Sequence, residues 1–262
     1  MADIFFDTHA HLDFPDFDRD REEMLARARQ AGVRYIMAIG SGRGLDSAGA
    51  ALAIAESDPE IWATIGVHPH DVRLMKDEDL VLLRDLAGRE KVAAIGEIGL
   101  DYAKERSPRE VQQKRFRDQL GLARELSLPV VIHDREAHDD LVKILKRDGV
   151  PAAGGVMHCF SGTADLAREL IARGFFISFP GVITFKNARG AAETVRAVPL
   201  GKMLIETDCP FLAPAPHRGK RNEPAHVKLV AEAVARILNR PLAEVADQTT
   251  HNAFSMFRLP AP

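Results

Sequence analysis

The first apolar run of the chain closes on two histidines one residue apart: "FFDTHAHLDF", residues 5–14, sets His9 and His11 between Asp7 and Asp13. Positions two apart on an extended strand face the same side, so both imidazoles aim at one point. Neutral imidazoles aimed at one point suit a transition metal. With ten histidines in 262 residues, one such pair could also arise by chance and mark only a loop. The other chemistry-bearing residues decide between these readings. "GVHPHD" offers His68 and His70, and "GEIGLDY" offers Glu97. "IHDRE" offers His133, "MHCFSG" His158, and "ETDCP" Glu206 and Asp208.

Each of these follows a short run dense in Val, Ile and Phe. Such runs lie at 3–7, 33–40, 61–67, 92–100, 129–133, 154–158, 174–179 and 202–208. They do not alternate cleanly with polar residues, as expected of parallel strands covered on both faces. Helical patterns separate them, near 19–31, 45–57, 77–88, 107–127, 136–148, 163–173, 187–197 and 223–239, with a last one at 241–257. Pro108 and Pro224 sit where first turns belong, and Gly32 and Gly174 where helices should stop. This alternation predicts an α/β fold, a TIM (β/α)8 barrel of the metallo-dependent hydrolase type. A doubly wound open sheet is the alternative, but no Gly-rich nucleotide loop follows the first strand. With no linker, tract or repeat, residues 1–262 read as a single hydrolase domain.

A barrel presents its site at the C-terminal ends of its strands. Strands one, four, five, six and eight end on His9 and His11, Glu97, His133, His158 and Asp208, and strand three adds His68 and His70. A polar group after a buried run is costly unless paired or bound. The six residues His9, His11, Glu97, His133, His158 and Asp208 therefore read as metal ligands. One catalytic ion needs about three protein ligands, so six suggest two divalent ions, with Glu97 able to bridge them. Histidine donors favour Zn²⁺, Ni²⁺ or Mn²⁺, whereas phosphodiester chemistry often uses Mg²⁺.

In "DTHAHLD", "GVHPH", "GEIGLDY", "HCFSG", "LIETDCP" and "RGKRNEPAHV", in that order, nearly the whole chain resembles the TatD family of metal-dependent hydrolases, within the amidohydrolase superfamily. The resemblance implies a TIM barrel, divalent metals and phosphodiester hydrolysis, with DNA exonuclease activity working from the 3′ end. Carried onto this sequence, one metal would lie among His9, His11, Glu97 and Asp208, and the other among Glu97, His133 and His158. It also suggests that His68 faces substrate, against the plainer reading of a histidine shaping the "HPH" turn.

Asp208 is the expected proton acceptor for the attacking water. Glu206, two residues earlier, should share its face and could hydrogen-bond a ligating histidine; a buried carboxylate salt-bridged to a lysine is the rival reading. "APAPHRGKRNEPA", 213–225, reads as an active-site loop that brings Arg218, Lys220 and Arg221 to the mouth, with Arg218 and Arg221 as phosphate contacts. Cys159 and Cys209 each follow a predicted ligand, so strand alternation would turn them to the opposite face as packed thiols. His70, His138, His226 and His251 read as structural or surface residues, and Trp62 and the 13 phenylalanines as core.

Composition sets outer bounds. A chain 46% hydrophobic and 28% charged can build a sizeable core, and its net charge of −3 gives no global nucleic-acid footprint. Two cysteines fit a reducing cytoplasm. No signal-peptide pattern opens the sequence, and no apolar run approaches the ~20 residues that span a bilayer. The expected partner is DNA or another phosphodiester at a strand end. A metal-dependent ester or amide hydrolase, such as one acting on aminoacyl esters of RNA, is the rival within enzymes. A metal-binding scaffold without catalysis is the rival outside them.

Overall fold

The computed structural model describes residues 3–260. Eight parallel strands follow one another around a barrel: β1 (Phe5–Ala10), β2 (Val33–Gly40), β3 (Ile61–Ile65), β4 (Val92–Asp101), β5 (Val130–Arg135), β6 (Gly155–Met157), β7 (Phe175–Phe179) and β8 (Met203–Ile205). The helices between and after them are α1 (Arg21–Gln30), α2 (Leu45–Ser57), α3 (Glu78–Ala87), α4 (Arg109–Leu126), α5 (His138–Asp148), α6 (Ala164–Ala172), α7 (Arg189–Ala197), α8 (Val227–Leu238) and α9 (Leu242–Phe257). Gly32 and Gly174, after α1 and α6, take φ of 90° and 97°, the left-handed values that stop a helix. Among the described residues no helix is long and apolar enough to cross a membrane.

Neighbouring strands pair in order, and the ring closes between β1 and the segment after β8. Closure is by backbone: Asp208 N–H donates to the His9 carbonyl and His11 N–H to the Cys209 carbonyl, both at 2.9 Å. Asp7 reinforces this seam, its carboxyl taking Thr207 N–H at 2.9 Å and lying 2.6 Å from Thr207 Oγ1. Asp7 is wholly buried, and burial pushes its pKa up to about 8 against the pull of Thr207 and the His9 N–H.

Alternation along each strand divides the apolar residues into two cores. Phe5, Ile36, Ala38, Ile65, Ile95, Ile132 and Ile177 pack outward, in the layer shared with the helices. Phe6, Tyr35, Met37, Ile39, Val131, Val156 and Leu204 point into the barrel, where Phe254 and Phe257 of α9 join them. The ninth helix thus plugs the end of the barrel remote from the site. Above this plug the interior turns polar. Thr8 Oγ1 donates to the Ile205 carbonyl at 2.9 Å, and Ser178 Oγ to Glu206 Oε2 at 2.6 Å. A polar interior layer is tolerated because these groups are paired.

Candidate metal centre

Two of the strands that carry predicted ligands are irregular at those residues. In β1 the register with β2 shifts between Asp7 and Ala10, around His9, and in β4 the register with β5 shifts between Gly96 and Ile98, at Glu97. Such bulges re-aim a side chain out of the regular alternation. Gly99 supports the second: its φ is 141°, and a Cβ there would fall 2.0 Å from the His133 carbonyl oxygen. No other residue type fits so close a crossing of β4 over β5.

The result is a cluster with Glu97 at its centre. Glu97 Oε2 faces His9 Nε2 at 3.5 Å and His11 Nε2 at 3.7 Å, and Asp208 Oδ1 lies 3.7 and 3.4 Å from the same two nitrogens. Glu97 Oε1 faces His133 Nδ1 at 2.8 Å, His158 Nε2 at 3.2 Å and His68 Nε2 at 3.4 Å. All six predicted ligands are brought together, and His68 stands as close to Glu97 as two of them.

Most of these contacts are too long for good hydrogen bonds. His9, wholly buried, has no hydrogen-bond partner at either ring nitrogen among the described residues. An unpaired buried polar atom costs about 1–3 kcal/mol. Donor atoms 3.4–3.7 Å apart suit a shared ion, since bonds of about 2.0–2.2 Å place ligands at roughly that separation. The trio His9, His11, Asp208 lies close enough to hold a metal, and Glu97 Oε1 gathers His133 and His158 within 3.2 Å. The residues present therefore fit divalent ions.

Burial opposes charge throughout the cluster, and the partners decide each outcome. Burial would raise Glu97, but His68 and His158 charges and bonds from His133 and His158 hold it well below the usual carboxylate range. Asp208 is likewise lowered against burial, chiefly by His11. Burial pushes His68 down to about 4, and it lowers His9 as well. His133 is drawn up to about 9 in spite of burial, by Asp101 and then Glu97. His158 is raised against burial by Glu206 and Glu97, and His11 by Asp208.

Two carboxylates stand behind the histidines. Glu206 lies where the sequence placed it, with Oε1 3.0 Å from His158 Nδ1, although the angle does not make a hydrogen bond. It accepts Cys159 N–H at 2.6 Å. Asp101 is a residue that sequence reasoning missed. Its Oδ2 meets His133 Nε2 at 3.2 Å and His70 Nε2 at 2.8 Å. The available signal was its spacing: it stands four residues after Glu97 on one strand, so the two share a face. His70 is accordingly a structural partner of Asp101.

Three sequence expectations need correction. Arg221 was expected at substrate, but its guanidinium is engaged elsewhere: both nitrogens meet the Asp20 carboxylate at 2.7 Å, and one meets the Asp16 carbonyl. Arg218 lies over the Phe185 ring at 4.6 Å and does not line the cavity. The 213–225 stretch is thus a strap fastened to α1, where Glu223 also holds Arg27 at 2.7 Å. Second, Cys159 does not turn away from the site. Its φ of 46° breaks the alternation and places it on the cavity wall, while burial holds the thiol well above its ordinary pKa. Third, Phe211 is not core: it is 47% exposed, at the cavity.

Comparison with known proteins agrees with this geometry. The family described as TatD related DNase matches residues 6–258. The chain belongs to the TatD family. A Bacillus subtilis protein named "Uncharacterized metal-dependent hydrolase YabD" is 46% identical over 256 residues, 98% of this chain and 100% of that one. A Cronobacter sakazakii protein named "3'-5' ssDNA/RNA exonuclease TatD" is 38% identical over 259 residues, 96% of this chain and 97% of that one. The crystal structure of the Escherichia coli TatD homologue YjjV superposes with a TM-score of 0.91 at 34% identity, covering 98% of each chain. This TatD-family chain is accordingly a metal-dependent hydrolase on a TIM barrel.

Proposed function

We propose that this protein hydrolyses phosphodiester bonds at the end of a single-stranded nucleic acid, with two divalent ions shared across Glu97. The observation that carries the proposal is the division of donors by that carboxylate: Oε2 faces His9 and His11, which Asp208 meets from its own side, and Oε1 faces His133 and His158. Ions bound there supply a water of lowered pKa and counter-charge for phosphoryl oxygens. Asp208, ionised at neutral pH, faces the cavity and takes the proton of the attacking water. His133 gives its Nε2–H to Asp101, which frees Nδ1 as a donor atom. Glu206 stands behind His158, 3.0 Å from its Nδ1, where its charge favours the ring's basicity.

His68 works differently from the others. Its Nδ1 accepts the His70 N–H at 3.1 Å, so in the neutral ring Nε2 carries the proton. A ring that presents N–H is a poor ligand and a good donor to a phosphate oxygen. This supports His68 as a substrate contact. Polarity from the 3′ end is carried over from the name of the Cronobacter relative. The two free cysteines accord with work in the cytoplasm.

The test compares a linear single strand with its covalently closed circle, with Mn²⁺ or Mg²⁺ supplied, beside a charged tRNA. Release of mononucleotides from the linear strand alone is the expected result. Rapid cutting of the circle would remove the exonuclease reading, and turnover of the aminoacyl ester alone would move the activity to carbonyl chemistry.

A further inference from the structure

The cavity above the donor groups encloses about 940 Å³, near the upper end of the roughly 300–1,000 Å³ usual for ligand sites. Its walls differ in kind. On the β1 and β8 side stand Phe14 and Phe211, ring centroids 5.4 Å apart at 87°, each beside His11 at 5.0 and 5.9 Å. Phe211 is the only exposed Phe, Tyr or Trp ring among the described residues. Phe14 is braced from below, because a Cβ on Gly42 would lie 2.5 Å from its ring. On the β4 and β5 side stand Lys104, Arg106 and Arg135. All three are exposed, and none has a carboxylate within 4.0 Å among the described residues. In a ring of eight strands, β4 and β5 lie across from β1 and β8. The donor groups lie between the two walls.

We infer that these walls are two subsites for one single strand: Phe14 and Phe211 stack the base of the terminal nucleotide, and Lys104, Arg106 and Arg135 hold phosphates of the chain beyond the cut. This rests on the phosphodiester reading above. The assignment follows from what flanks the scissile phosphate at a strand end. One flank is a nucleoside with no further phosphate, and it suits an apolar stacking surface. The other flank continues as an anionic chain, and it suits unpaired cations. A base stacked on Phe211 must have left its duplex neighbour, so the same wall selects single strands. The loop arginines expected from sequence are occupied by Asp20 and Phe185, which leaves the opposite wall as the place for phosphate.

Cleavage of the first bond is measured on three oligodeoxynucleotides: a dinucleotide with one phosphate, a tetranucleotide, and the same tetranucleotide with an abasic terminal residue. Phe211→Ala should lower kcat/KM for the base-bearing end at least about tenfold more than for the abasic end, and Phe211→Trp should recover most of that loss. Lys104→Gln, Arg106→Gln and Arg135→Gln together should lower kcat/KM for the tetranucleotide at least about tenfold more than for the dinucleotide. They should also flatten its salt dependence by about one unit of log–log slope. Equal losses on the compared substrates, in an enzyme whose wild type cleaves all three, would overturn the subsites alone. A wild type inert toward all three would overturn the phosphodiester reading and the subsites with it.

Discussion

The two donor groups on either side of Glu97 are not equivalent. On the Oε1 side each ring is addressed from behind: His133 by Asp101, His158 by Glu206, and His68 by the His70 backbone. On the Oε2 side the outer nitrogens of His9 and His11 have no partner among the described residues. That side is aligned by the chain itself, through the β1 bulge and the backbone bonds that join His9 and His11 to residues 208 and 209. One half of the centre is therefore tuned by charge and the other by main-chain geometry. Carboxylates behind a ligand raise its basicity, so the two halves should respond to different perturbations.

Glu97→Ala should cut deepest, because it removes the group common to both halves. Loss of both ions and at least ~10³-fold in rate, about 4 kcal/mol of transition-state stabilisation, is expected. Elemental analysis that still finds two metals per chain would refute the bridging role. Asp208→Asn comes next: the size is kept, but proton acceptance at neutral pH is lost. Turnover should fall by roughly 10²-fold or more, with most of the metal retained. Metal loss in step with activity would reduce Asp208 to a ligand only.

Asp101→Asn probes the charged half alone. It should weaken one of the two ions by about 10–100-fold and leave the other within a few-fold. Competition against a chelator, with both stoichiometric steps resolved, provides the reading, and equal weakening of both would erase the distinction between the two halves.

The smallest effect concerns the geometric half. Asp7, which clamps the seam, has its pKa raised by burial to about 8 from 3.8. The folded protein keeps a proton that the unfolded chain releases above about pH 4, so stability falls as pH rises toward 8. In metal-free protein, wild type should lose roughly 2 kcal/mol more than Asp7→Asn between pH 6 and pH 9, by urea unfolding. His133, at about 9, adds a loss of the same sign to both proteins and cancels in the difference. Parallel pH profiles would place the Asp7 proton elsewhere.

The clustering of the six donor residues was legible because each stands at the end of an apolar run, and in a parallel barrel those ends converge. Their grouping by Glu97 and the place of Glu206 could be anticipated from alternation and family pattern. Alternation failed where the backbone leaves it, at Cys159, with φ of 46°. Arg221 was misjudged because its partner Asp20 lies 201 residues away, a pairing that no local pattern encodes. Phe211 looked like core because composition cannot tell a packed ring from a displayed one. Asp101 is not marked out by local pattern, because its two histidine partners come from other strand ends, at positions 70 and 133.

The seam between β1 and the segment after β8 has a consequence for how the enzyme comes into being. A ribosome delivers His9 and His11 first and Asp208 nearly two hundred residues later, and the bond from Asp208 N–H to the His9 carbonyl ties the two arrivals together. A nascent chain short of that point holds five of the six donors but cannot close the ring that orients them. The complete set of donors and the closed barrel therefore arrive in the same event, and no partial chain carries an assembled centre.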